Sequence, residues 1–327
     1  MRPPFILAWE VTKVCNLNCL HCRASAVKTK DPLELDTQQG KHLLEDLAEF
    51  GTKMVILSGG EPLMRPDIFE LASFGTTIGL RMTLATNGSL LTQDRAKRIK
   101  DSGIARVSIS LDGITAKVHD DFRGMPGVFD MALKGISILR SFGIPFQINT
   151  TVAAMNVHQM KNFPAFVKEL GAIAWHVFFL VPTGRGHSLE LARVEEYRDM
   201  LERFFDVYKE ADIECKATCA PQFYRLLKER GESPRTKGCL AGTGFGFVSS
   251  IGIVQPCGFL QMPCGDIRER PFAEIWATSP ILMSLRDESS LKGKCGRCDY
   301  KDVCGGCRAR AYEVMGDPLE FDPICWY

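Results

Sequence analysis

The chain has 327 residues, 45% of them hydrophobic, and its 40 basic residues offset 39 acidic ones to leave a net charge of +1. That is room for one large domain, or for a domain of about 200 residues with a smaller companion, and the near-neutral balance argues against a broad nucleic-acid surface. No run approaches the ~20 apolar residues of a membrane span. The opening Pro3-Pro4-Phe5-Ile6-Leu7-Ala8-Trp9-Glu10 is too short an apolar run for a signal peptide. A cytoplasmic location is expected, with neither nucleic acid nor membrane as a partner.

Strand-like runs are predicted at 5–11, 54–58, 81–86, 106–111, 146–152 and 175–181. Between them lie helical patterns such as Leu43, Leu47, Phe50 and Phe163, Phe166, Val167, Leu170. Turn dipeptides, for example Asn87-Gly88 and Asp112-Gly113, punctuate the alternation. Six βα steps imply an α/β fold with a parallel sheet and helices outside. A closed eight-fold barrel usually needs about 250 residues, so six steps in this length fit a partial (β/α)6 TIM-like barrel, open on one side. Residues 189–210 and 221–230 read as charged amphipathic helices, and from about residue 237 glycine and cysteine dominate. The expected organisation is a partial barrel over 1–190, bridging helices over 191–236 and a small Cys-rich region over 237–327.

Thirteen cysteines fall unevenly: three within residues 15–22, none between 23 and 214, and ten beyond. In a reducing compartment such grouping favours metal binding over disulfides. Cys15-Asn16-Leu17-Asn18-Cys19-Leu20-His21-Cys22 follows the first strand, where the loops of a parallel β/α fold carry the active site. Three thiolates can hold three irons of a cubane and leave the fourth open to a ligand. A structural zinc completed by His21 or a distant residue is the alternative. Gly59-Gly60-Glu61-Pro62 follows the second strand, Thr86-Asn87-Gly88 ends the third, and Ser110-Leu111-Asp112-Gly113 ends the fourth, with Arg123 just beyond. Each alone is an ordinary turn or a surface charge; their serial appearance at strand ends is the signal.

These motifs resemble the radical S-adenosylmethionine (SAM) superfamily. The resemblance implies a [4Fe–4S] cluster on Cys15, Cys19 and Cys22, with SAM chelating the open iron and cleaved there to a 5′-deoxyadenosyl radical. It implies SAM contacts from Gly59, Gly60, Glu61, Asn87, Ser110, Asp112 and Arg123, the arginine suiting the SAM carboxylate.

Near the C-terminus, Cys295-x2-Cys298-x5-Cys304-x2-Cys307 is followed by Cys325; upstream lie Cys239, Gly252-x4-Cys257 and Cys264. Paired C-x2-C units suit tetrahedral zinc as well as iron–sulfur chemistry. With Gly265-Asp266-Ile267-Arg268-Glu269 and Glu274-Ile275-Trp276, the region resembles the iron–sulfur SPASM extension of that superfamily. By that resemblance Cys295, Cys298, Cys304 and Cys325 bind an auxiliary [4Fe–4S] cluster. Cys239, Cys257 and Cys307 are candidates for a second, with Cys264 as its fourth ligand. The spacing of two between Cys304 and Cys307, where the family often has three, leaves ligands and cluster number open. Cys215 and Cys219 are expected to be core thiols.

The stretches Ala8-Trp9-Glu10-Val11-Thr12, Phe178-Phe179-Leu180-Val181-Pro182-Thr183-Gly184-Arg185-Gly186 and Cys307-Arg308-Ala309-Arg310-Ala311 resemble the tetrapyrrole branch of the family. That implies conversion of two propionates of iron-coproporphyrin III to vinyl groups, with an auxiliary cluster as electron acceptor. It also implies a tetrapyrrole substrate and a low-potential flavodoxin- or ferredoxin-like electron donor. Arg23, Arg185 and Arg308 are candidate propionate partners, and His119, His158, His176 and His187 candidate ligands of porphyrin iron, although a lone histidine is more often structural. Three other readings stand beside this one: a related radical SAM enzyme acting on another sirohaem-derived tetrapyrrole, a SPASM enzyme that modifies a peptide or protein, and a non-catalytic iron–sulfur carrier or zinc-stabilised binding protein.

Overall fold

The computed structural model describes residues 2–234 and 236–327. Six parallel strands form its centre: β1 (Ile6–Glu10), β2 (Met54–Ser58), β3 (Arg81–Thr86), β4 (Arg106–Ser110), β5 (Phe146–Val152) and β6 (Ala174–Phe179). Each matches a predicted run to within two residues. They pair in sequence order, with Ile6 beside Met54 and Val107 beside Phe146. This is the neighbour-to-neighbour order that successive βα units give.

The sheet does not stop at six. β7 (Glu214–Thr218), inside the expected bridging segment, adds parallel to β6, and β8 (Phe245–Val248) adds parallel to the free side of β1. β9 (Ile253–Gln255) and β10 (Gly265–Asp266) continue antiparallel, so the order is β10-β9-β8-β1-β2-β3-β4-β5-β6-β7. The Cys-rich region is thus joined to the barrel through its sheet. β7 escaped prediction because Glu-Cys-Lys-Ala-Thr is short and its alternation rests on only two small residues, Cys215 and Ala217; its pairing with β6 decides its conformation, a tertiary override of weak local propensity.

Helices α1 (Thr37–Phe50), α2 (Ile68–Thr77), α3 (Gln93–Asp101), α4 (Ala116–Arg123), α5 (Val128–Ser141) and α6 (Phe163–Glu169) fill the crossovers. Asp36 and Gln39 close a capping box on α1, satisfying donors that a helix start otherwise leaves orphaned. The aromatic core under β5 and β6 is keyed by Trp175, stacked on Phe163 at 5.7 Å and donating its indole N–H to Thr150 Oγ1 at 3.0 Å. Beyond β6 come α7 (Val194–Glu210) and α8 (Gln222–Glu229), then α9 (Phe272–Thr278), α10 (Pro280–Arg286), α11 (Gly293–Gly296) and α12 (Arg308–Met315).

The C-terminal segment is fastened by a buried polar knot. Arg310 of α12 and Asp322 pair at 2.9 Å, both fully buried. Arg310 also donates to the carbonyls of Leu180, just after β6, and Cys219, just after β7. Asp322 accepts from Gln222 of α8 at 3.0 Å and from the Cys307 N–H at 2.8 Å, while Tyr197 of α7 donates to Gln222. Burial works against the Arg310 charge, but Asp322 beside it raises its pKa and holds it protonated. Removing one member strands a buried charge, which typically costs about 3–5 kcal/mol, whereas replacing both with apolar groups is often neutral. Asp322→Ala is therefore expected to lower the thermal unfolding midpoint sharply, and Arg310→Met with Asp322→Leu to restore much of it.

Candidate active site and metal centres

The first cysteine group lies in the loop after β1. Cys15 and Cys19 are buried and pack with Leu17 and the half-buried Cys22. Their sulfurs accept backbone N–H groups: Leu17 to Cys15 at 3.4 Å and Ala26 to Cys22 at 3.4 Å. Burial pushes the Cys15 thiol up to about 11 and raises Cys19 too, against the pull of Arg123. Such thiols ionise when a cation takes the place of the proton.

The loop is held from three directions. Lys28 Nζ reaches the carbonyls of Cys15, Asn16 and Leu17 at 3.0–3.3 Å. Gly60 donates to Thr12 O at 2.7 Å and Glu61 to Val14 O at 2.8 Å. A Cβ on Gly60 would collide with the Val14 and Lys13 carbonyls, so only glycine permits this approach. From the β6 side, Arg185 donates to the carbonyls of Cys19 and Ala26 at 2.9 and 3.1 Å. Gly184, at φ +60, packs against Cys22 and Arg23 backbone.

The strand-end residues named from the sequence converge here, but several are occupied with one another. Glu61 is fully buried; its carboxylate accepts from Thr86 Oγ1 (2.7 Å), Asn87 N (2.8 Å) and Leu63 N (3.1 Å). Burial raises its pKa against those bonds. Asn87 donates to Asn16 Oδ1 at 2.9 Å and accepts from Ser89, tying the β3 end to the cysteine loop. Asp112 accepts from Thr151 N at 2.7 Å and pairs with Arg123 Nη2 at 2.5 Å, while Arg123 Nη1 lies 3.8 Å from Cys19 Sγ. Ser110 ends β4 beside them, half-buried. His21, the candidate zinc ligand, stacks on Phe122 at 4.2 Å with Nε2 3.8 Å from Asp112. Buried atoms without a hydrogen-bond partner cluster at this spot: His21 Nδ1, His119 Nε2, Arg123 Nε and Arg185 Nη2. Polar groups left open in a buried site fit a polar ligand such as the amino-acid end of SAM.

The C-terminal cysteines form two further groups. Cys295, Cys298, Cys304 and Cys325 line one cavity with Arg225, Lys294, Arg297, Tyr300 and Tyr327. The other group differs from expectation. The Cys219 thiol hydrogen-bonds the Cys307 sulfur, which raises the Cys219 pKa and lowers that of Cys307. Burial pushes Cys257 up to about 12, with Cys239 and Cys307 adding their repulsion. Cys219, Cys239, Cys257 and Cys307 thus stand together. Cys264 does not join them: its thiol points to Met262 O at 3.6 Å and to Ser279, beside the β9–β10 turn. The fourth thiol beside Cys239, Cys257 and Cys307 is that of Cys219, which follows β7 at φ +57. Because β7 was not predicted, the strand-end rule never reached it.

Each of the three arginines expected to meet propionates is already engaged. Arg185 clamps the first cysteine loop. Arg23 pairs with Glu10 at 3.1 Å and lies over Phe247. Arg308, 4% exposed, donates to the carbonyls of Gly306, Pro318 and Glu320. Of the histidines, His119 accepts from Asp112 N, His176 lies between Gln147 and Glu214, and His187 pairs with Glu313 at 3.1 Å. Of these groups, Arg185 Nη2 and His119 Nε2 keep no hydrogen-bond partner, and His158 is exposed.

The residues fit iron–sulfur clusters: the first group brings three thiols together and the C-terminal cavity four, with backbone N–H groups on several of their sulfurs. A cubane takes one thiolate at each of several separate irons.

Comparison with known proteins agrees with this geometry. Residues 9–170 match the radical SAM superfamily and residues 239–307 match SPASM, an iron–sulfur cluster-binding domain. The chain belongs to the radical SAM superfamily, carries a SPASM region, and is an enzyme that uses [4Fe–4S] clusters and SAM. Within that superfamily it stands in the heme synthase family of the tetrapyrrole branch. It is 49% identical to the AdoMet-dependent heme synthase of Methanosarcina barkeri, over 99% of this chain and 97% of that one. It is 45% identical to the AdoMet-dependent heme synthase of Nitratidesulfovibrio vulgaris, over 98% and 92%. The Fe-coproporphyrin III synthase of M. barkeri is 34% identical over 98% of this chain and 87% of its own. Among solved structures, Streptococcus suis SuiB bound to S-adenosylmethionine shares the fold with a TM-score of 0.82 at 19% identity, covering 100% of this chain and 78% of that one.

Two substitutions separate the cysteine assignments. After anaerobic reconstitution, Cys219→Ala is expected to lose up to about four irons per chain, the content of one cubane, and Cys264→Ala to retain the unsubstituted content. Gly60→Ala should displace the first cysteine loop, abolishing SAM cleavage while the C-terminal cluster signals persist in the electron paramagnetic resonance spectrum.

Proposed function

We propose that this enzyme oxidatively decarboxylates two propionates of iron-coproporphyrin III to vinyl groups, giving haem b. The observation that carries the reading is the near-full-length identity of 49% to a heme synthase, spanning both cysteine regions. In this reading Cys15, Cys19 and Cys22 hold the SAM-binding cluster. One auxiliary cluster sits on Cys295, Cys298, Cys304 and Cys325, and the other on Cys219, Cys239, Cys257 and Cys307. The SAM contacts are Gly59, Gly60, Glu61, Asn87, Ser110, Asp112 and Arg123, with Glu61 and Asn87 acting chiefly by fixing the loops around SAM.

When bound, the first cluster and SAM supply a 5′-deoxyadenosyl radical; loss of a propionate β-hydrogen and then of carbon dioxide leaves the vinyl group and one electron. The chain's own part is positional. Gly60 and Lys28 hold the cysteine loop against the β1 and β2 ends, and Arg185 ties it to the β6 loop. Asp112 holds Arg123 within reach of the Cys19 sulfur, so the guanidinium is oriented before SAM arrives. Such preorganisation matters because a radical must meet one hydrogen and be shielded from others. A low-potential flavodoxin- or ferredoxin-like protein would supply the reducing electron. A cytoplasmic setting suits thirteen free cysteines, which must stay reduced to serve as ligands.

Incubation of the reconstituted enzyme with iron-coproporphyrin III, SAM and reductant tests the proposal. Mass spectrometry should show two successive losses of about 46 daltons, carbon dioxide plus two hydrogens. Substrate recovered unchanged while SAM is cleaved would refute it.

A further inference from the structure

Each cysteine group has at least one arginine close to its sulfurs, and the four arginines differ in how their charge is balanced. At the first, Arg123 lies 3.8 Å from Cys19 Sγ and is paired at 2.5 Å with the fully buried Asp112. At the group of Cys219, Cys239, Cys257 and Cys307, Arg310 is paired at 2.9 Å with the fully buried Asp322. In both places a carboxylate shielded from water cancels the cation.

The C-terminal group is arranged otherwise. Arg308 Nη2 lies 3.5 Å from Cys295 Sγ and its other side-chain bonds go to carbonyls, although its charge also reaches Cys239 and the half-buried Asp317. Arg225 Nη1 lies 3.8 Å from Cys298 Sγ, its side chain 18% exposed. Its guanidinium is held between two rings, 3.2 Å from the Tyr327 centroid and 4.3 Å from that of Tyr300. The Tyr300 N–H donates to the same sulfur at 3.4 Å, and Gly306 N–H to Cys304 at 3.5 Å. Arg225 does have an acidic partner, Glu229 at 2.8 Å, but that side chain is 29% exposed and water screens it. Reducing a cluster adds a negative charge, so donors on its sulfurs and uncancelled nearby cations favour the reduced form and raise its potential.

We propose that Arg225 and Arg308 tune the C-terminal cluster to the highest potential of the three, making it the final acceptor within the chain of the electron left by decarboxylation. The inference rests on the cluster assignments and the reaction proposed above. The balance is one electron per vinyl group: the propionate radical loses carbon dioxide and an electron, and one oxidised cluster is reduced by that electron. A one-electron carrier protein then reoxidises it.

Potentiometric titration of the reconstituted full-length protein, followed by electron paramagnetic resonance, tests this without substrate. The C-terminal signal is the one absent from Cys325→Ala. It should have the highest midpoint of the three. Arg225→Gln, with its iron content intact, should lower that midpoint by about 59 mV, a tenfold change for a one-electron couple, and leave the other two in place. Arg225→Lys, which keeps the charge but not the planar stacking, should fall between. Glu229→Gln removes the screened carboxylate and should move the midpoint upward. An unmoved midpoint in Arg225→Gln with full iron content, or a C-terminal cluster of lowest potential in the unsubstituted protein, overturns the proposal. If Arg225→Gln fails to hold its cluster, Glu229→Gln decides alone, and the absence of an upward shift is then fatal. Because no substrate enters the titration, its failure is separate from failure of the decarboxylation assay.

Discussion

The buried pair of Arg310 and Asp322 is the constraint on which the rest of this molecule depends. Two charges withdrawn fully from water are an expensive way to hold a fold together, and apolar residues would often serve stability as well. What the pair provides is placement. Through Arg310 it meets the backbone ends of β6 and β7, and through Asp322 it meets α8 and the Cys307 amide. Those contacts bring Cys219, which follows a barrel strand, against Cys307, which opens the last helix. A polar knot with directional bonds fixes such a register; a purely apolar contact would tolerate sliding.

A similar economy governs the first site. Asp112 and Arg123 form a second buried pair, and Glu61 spends its carboxylate on the β3 loop. The residues that look like SAM ligands in the sequence therefore do two jobs, shaping the loops before presenting groups to a ligand. The polar atoms of His21, His119, Arg123 and Arg185 that this shaping leaves without a partner are the ones open to a polar ligand. They lie at the C-terminal ends of parallel strands, the place at which this architecture leaves backbone and loops free for chemistry.

Much of this is legible from the amino-acid sequence because strands 1 to 6 carry apolar or alternating runs and the first four end in recognisable motifs. Cys15, Cys19 and Cys22 stood out by spacing alone. Cys219 did not, since its strand is polar and its pairing partners are far away in the chain; only β6 beside it shows that it, too, sits at a strand end. Cys264 misled for the opposite reason, lying near Cys257 in sequence yet turned toward Ser279 by the β9–β10 reversal. Arg185, Arg23 and Arg308 looked like anion receptors because composition cannot tell an arginine facing a ligand from one that satisfies buried carbonyls. In the structure each of the three donates to backbone carbonyls, while Arg185 Nη2 keeps no partner.

The central claim is that this scaffold directs a radical to the propionate β-carbon of an iron porphyrin. Iron-coproporphyrin III deuterated at those carbons examines it most directly. The account predicts that deuterium appears in 5′-deoxyadenosine as vinyl groups form. Vinyl product accompanied by unlabelled 5′-deoxyadenosine would contradict it.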